Sequence, residues 1–165
     1  MDVEELWGVG VDSGWIFIVD PAALVHWQPG DWHPQRHLPN SYSRVVTFGF
    51  QHGNGAVEGG VIIGGFRGDG LYSGLLYRDP AGRFLKAALF LGLEPAGPIT
   101  PVALVTTTTD TLLVIDPCYI KADLATDALP PPIGGVRVPV GAPGVYQVST
   151  QGSTTGEISM IIITP

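Results

Sequence analysis

VDSGWIFIVDPAAL, Val11 to Leu24, aligns without a gap on TTTDTLLVIDPCYI, Thr107 to Ile120, and sets Asp20-Pro21 over Asp116-Pro117 at an offset of 96 residues. Further along, GGVIIGGFRGDGLY (Gly59 to Tyr72) matches GGVRVPVGAPGVY (Gly134 to Tyr146) with one deletion. From Tyr72/Tyr146 to Gly82/Gly156 the match then runs ungapped at offset 74. The repeat predicts a duplicated β unit, with copies spanning about residues 8–94 and 102–165. In each copy an apolar run ends at Asp-Pro, where an aspartate closes a strand by accepting from its own backbone two residues on.

The composition agrees with strands. Hydrophobic residues make up 45% of the 165 positions and charged residues only 14%, while 23 glycines and 15 prolines supply turns and break helices. Runs rich in β-branched and aromatic residues recur between Gly, Pro and Asp: 15–19, 43–50, 61–63, 71–77 and 83–91, then 102–107, 111–115, 136–140, 145–150 and 157–164. Only 21–25 and 121–128 read as a turn or two of helix. Tyr77-Arg-Asp-Pro-Ala-Gly-Arg83 and Gln151-Gly-Ser-Thr-Thr-Gly156 read as corresponding hairpin loops. Pro95, Pro98 and Pro101 read as a linker between the copies, and Pro130-Pro131-Pro132 as an extended excursion. Five short strands per copy leave an apolar face needing cover. The expectation is therefore one all-β domain over 1–165, a pseudo-twofold barrel or sandwich of about ten short strands.

From Pro21 to Gly59 is 38 positions and from Pro117 to Gly134 is 17, so the first copy carries about 21 extra residues (38 − 17), within about 25–57. This insert holds all four histidines, His26, His33, His37 and His52, together with Trp27, Asp31, Trp32, Arg36 and Tyr42. An insert is separable from the shared core, so this is where function is expected. Trp27 and Trp32, flanking Gly30-Asp31, offer flat faces for a ligand or partner, or else anchors holding the loop to the sheet. His33 and His37 at i,i+4, with His26 and Asp31, form a donor set for zinc or another divalent metal. Pro34 and Pro39 oppose the helix that would align the pair, and no HExxH or CxxC is present. Asp12, Asp20 and Asp69 could also converge as an acidic site, although turn formation explains each. Gly68-Asp69-Gly70 reads as a tight turn, because a strand rather than a helix follows it. Cys118 takes the place of Ala22, and a Cys-His pair would require the two Asp-Pro corners to meet.

A net charge of −7, with no Lys/Arg run, argues against nucleic acid or an anionic membrane as partner. One cysteine excludes an intrachain disulfide, and the acidic start MDVEE lacks signal-peptide character, so a cytoplasmic setting is expected. Strands with few charges also suggest a homo-oligomer formed through sheet edges.

Ser13-Gly14 running to Asp20-Pro21, the GDG-x-Y strand start at Gly68 to Tyr72 and the following Gly82-Arg83 hairpin resemble a bacterial family described as domain of unknown function 4241. The shared motifs cover about a third of the chain, and Gly74 stands where the family pattern has Val. LLVIDPCYI is similar to the same opening in small actinobacterial and phage-borne proteins. The resemblance implies a β fold and an intracellular bacterial origin, without a reaction. The leading functional expectation is a non-enzymatic binding module engaging a small ligand or protein partner through Trp27, Asp31, Trp32, Arg36 and Tyr42. The alternatives are a metal-dependent hydrolase using His33, His37, His26, Asp31 or Asp69, and a structural subunit of an assembly.

Overall fold

A computed structural model describes residues 1–28, 39–125 and 134–165. Among these, the strands are β1 (Asp2–Val11), β2 (Ile16–Val19), β3 (Gly55–Val57), β4 (Gly60–Ile63), β5 (Gly70–Arg78), β6 (Phe84–Phe90), β7 (Pro95–Thr107), β8 (Thr111–Ile115), β9 (Gly135–Pro139), β10 (Gly144–Ser153) and β11 (Ile158–Thr164). They form two open sheets, β1-β5-β6-β11-β10-β7 and β3-β4-β2-β8-β9, and every named pairing is antiparallel. No barrel closes. The sheets meet over one core to which both contribute, including Leu6, Val9, Ile16, Ile18, Val61, Leu76, Leu112, Val114, Val148 and Ile161.

The pairing registers repeat. Ser73↔Phe90 through Tyr77↔Lys86 in β5–β6 become Gln147↔Thr164 through Gln151↔Met160 in β10–β11 when 74 is added to each number, and both ladders then shift register at the next step. Val9↔Tyr72 and Val11↔Gly70 in β1–β5 likewise correspond to Val105↔Tyr146 and Thr107↔Gly144 in β7–β10. Ile18 faces Val114, its counterpart at offset 96, at the centre of the small sheet. Ala88 faces Ile162, its counterpart at offset 74, at the centre of the large one. Tyr72 and Tyr146 each donate their hydroxyl to the carbonyl four residues earlier, Gly68 at 2.7 Å and Ala142 at 2.6 Å.

A third layer covers the outer face of the small sheet. It consists of a 3-10 helix at Pro21–His26, an α-helix α1 at Tyr42–His52, and short 3-10 turns at Pro117–Tyr119 and Ala122–Ala125. Leu24, Trp27, Val45, Val46, Ile120 and Leu124 from this layer pack on Phe17, Val19, Ile62, Leu113 and Ile115.

Three expectations are corrected. Residues 43–50, rich in β-formers, are helical: Ser41 accepts from the Arg44 N–H as N-cap, Val45, Val46 and Gly49 face inward, and Gly53 (φ 77°) ends the helix. Here burial of one helical stripe overrides strand propensity. The proline-rich 95–101 stretch is part of β7, not a linker. It pairs only with β10 at the sheet edge, the one place in a sheet where proline's missing donor is tolerated. The strand runs read from the sequence begin at residue 15, whereas β1 already spans Asp2–Val11, with Glu4 and Glu5 exposed on an edge strand.

Candidate functional site

The Asp-Pro corners lie where the third layer meets the small sheet. Each carboxylate first closes its own turn: Asp20 Oδ1 accepts from Ala22 N–H at 3.0 Å and Asp116 Oδ1 from Cys118 N–H at 2.9 Å. Each then reaches into the other half of the chain. Asp116 accepts from the backbone N–H groups of Asp12 and Ser13 at 2.7 and 2.8 Å, and from the Ser13 hydroxyl at 2.7 Å. Asp20 accepts from the Thr108 N–H and hydroxyl at 2.8 and 2.7 Å and from the Thr109 hydroxyl at 3.4 Å. Asp12 and Ser13 occupy the positions of Thr108 and Thr109 at offset 96, so the exchange is reciprocal. Burial pushes the Asp20 pKa up, but the Thr108 and Ala22 hydrogen bonds outweigh it and hold the carboxyl below its usual range.

The two corners differ in what surrounds them. Around Asp116 stand Cys118 and Tyr42, the latter hydrogen-bonded to Ser13. Burial, then the charge of Asp116, pushes the Tyr42 phenol up to about 12. Burial of its sulfur, then the hydrogen bond and charge of Asp116, likewise pushes the Cys118 thiol up to about 12, although much of the residue is exposed. Both groups therefore stay protonated at neutral pH. The Asp116 carboxylate is engaged by the Asp12, Ser13 and Cys118 backbone N–H groups and by the Ser13 hydroxyl. Neither His26 nor His52 hydrogen-bonds Ser13 or Cys118, so the Cys-His arrangement does not form among the described residues. Among the described residues, the cluster ties the helical layer to the small sheet through the crossed aspartate hydrogen bonds.

The mouth of the insert lies beside this layer. Gln28 and Ser41 form an isolated parallel bridge, with Gln28 N–H donating to the Asn40 carbonyl at 2.7 Å. Asn40, at φ 51°, donates its N–H to Glu58, which also pairs with Arg44 at 3.2 Å. The residues flanking 29–38 are thus tied together and to β4's approach. Asp31, Trp32, His33, Arg36 and His37 all fall in that segment, outside the described residues. Of the remaining expected site residues, His26 is exposed at the end of its 3-10 helix and Tyr42 is half-buried. Trp27 is only 5% exposed and packs against Phe17 with ring centroids 6.1 Å apart, so it has no free face for a ligand: of its two readings, anchor and contact, the burial favours anchor. No group of three His, Cys, Asp or Glu residues placed to hold a metal occurs among the described residues. Asp69 lines a separate open groove with Arg67, Tyr72 and Phe90, away from Asp20.

Sequence reasoning missed the exposed edge of α1. Phe50, 70% exposed, meets Trp15 edge-on at 5.2 Å. Trp15 itself lies against Gly49 and Gly64, where any Cβ would collide with the indole. The helical period in Val45, Val46 and Gly49 carried that signal, but β-branching masked it.

No family model, curated protein or solved structure matches this chain. No helix among the described residues is long and apolar enough to cross a membrane.

Proposed function

We propose that the chain is a non-enzymatic binding module that engages a small ligand or protein partner through Asp31, Trp32, Arg36 and Tyr42. The observation that carries this reading is the closed mouth at Gln28, Asn40 and Ser41. A segment rich in aromatic, charged and imidazole groups departs from and rejoins a buried scaffold at one point. Its composition can therefore vary without cost to the core. Trp27 is the anchor of that mouth. The resemblance to domain of unknown function 4241 and a bacterial, cytoplasmic origin belong to the same reading.

We also infer that the fold is one domain made by duplication of a β unit. The support is that the offsets of 96 and 74, read from the sequence, recur in four strand pairings and in the exchange of Asp20 and Asp116. The insert then distinguishes the binding copy from the other.

The test is a native mass spectrum of purified protein beside a Trp32→Ala/Arg36→Ala variant. Bound mass in the parent, lost in a variant with an unchanged melting temperature, supports the module. Equal bound mass in both removes it. Metal content, measured without a histidine tag and repeated for His33→Ala/His37→Ala, separates the hydrolase alternative: one metal per chain that disappears in the variant would favour it.

A further inference from the structure

The helical layer covers the small sheet, and the core between the sheets covers the inner face of the large one. Among the described residues, the outer face of the large sheet has no such cover. Strand alternation directs Leu71, Leu75, Ala88, Phe90, Met160, Ile162, Val145 and Leu104 to it, and none of these joins either core cluster. Ala88 and Ile162, paired at its centre, are themselves buried, while Phe90 is 39% and Leu104 59% exposed.

We propose that this face is a homodimer interface, occupied by the same face of a second copy of the chain. Two features select that occupant. The first is charge. The chain carries −7 overall, yet Glu5 and Lys86 are the charged residues that alternation places on this face, one of each sign. Lys86 lies over the Tyr77 ring at 4.6 Å. Two copies can meet here without the like-charge repulsion that their other surfaces would impose. The second is size. Six strands give roughly 24 Å across and seven residues about 23 Å along, so two stacked faces bury on the order of 1,100 Å² in total, just above the ~1,000 Å² a specific interface needs. The strand order adds to this, with β6–β11 central and two strands on each side. The face therefore presents similar halves about Ala88 and Ile162, suited to an isologous contact.

Sedimentation velocity across a concentration series tests the proposal on the full chain and on two variants, Phe90→Glu and Leu104→Glu, each checked for a cooperative melt. The second variant, at the more exposed site, guards against misfolding of the first. The expected result is a dimer dissociating in about the micromolar range. Either variant should weaken it about tenfold or more, and Phe50→Glu on the helical layer should leave it unchanged. A parent that stays monomeric up to about 100 µM overturns the proposal. A dimer indifferent to both variants also overturns it, and if β1 or β7 amides gain protection from hydrogen exchange on association, the contact is edge pairing instead.

Discussion

Asp20 shows how one side chain serves both halves of the chain. It is buried and accepts from both halves at once. Replacing it by Ala leaves the Thr108 and Ala22 donors unpaired and should cost about 1–3 kcal/mol in denaturant unfolding. Its folded pKa lies below the unfolded value, so its contribution is complete above about pH 4 and fades as pH falls through the lower folded value. Asp20→Asn should therefore flatten the acid limb of the stability curve, and an unaltered acid limb would argue against this role. Cys118 gives a second test. With its thiol raised to about 12, iodoacetamide labelling near pH 8 should be about tenfold or more slower than for a free cysteine, despite the residue's exposure. At Gly74 a Cβ would run into the Ala88 carbonyl, whereas Val148, 74 positions on, is a buried core residue. Gly74→Val should destabilise by about 1–3 kcal/mol.

At the scale of elements, most strands were legible because apolar runs were bounded by Gly, Pro and Asp. The Asp79 hairpin is an example: its carboxylate accepts from Ala81 and Arg83 N–H groups, and Gly82 has φ 81°. β1, β3, the first half of β7 and the helix α1 were not legible. β1 alternates poorly, because Gly8 sits within a register shift between Leu6 and Val9. The 95–101 part of β7 was concealed by prolines, which an edge strand accepts. The helix α1 was concealed by Val45, Val46 and Phe48, which favour strands until a packing face exists. The layer these elements build makes unequal demands on its aromatics. Trp27→Ala should cost about 3–5 kcal/mol, as a buried aromatic truncation does. Phe50→Ala, at 70% exposure, should stay within about 0.5 kcal/mol. Comparable losses from both would mean the layer is not divided into anchor and surface in this way.

For the whole molecule, the pairings at the centre of each sheet, β2 with β8 and β6 with β11, join the first half of the chain to the second, as do the crossed aspartates. Fragments 1–94 and 95–165 should each be unfolded alone and should melt as one cooperative unit when combined. The offsets of 96 and 74 read from the sequence recur in the strand registers because they hold across turns. The candidate site was only partly legible: composition singled out residues 25–57, but not that Trp27 would be buried against Phe17. The central claim is that the scaffold and residues 29–38 are separable, and the most direct measurement is to replace 29–38 by Gly-Gly and compare melting temperature and bound mass with the parent. Gln28 and Asn40 already touch at 2.7 Å, so the account predicts a melting temperature within a few degrees of the parent and complete loss of the bound species. An unfolded product, or one that keeps its bound mass, would contradict it.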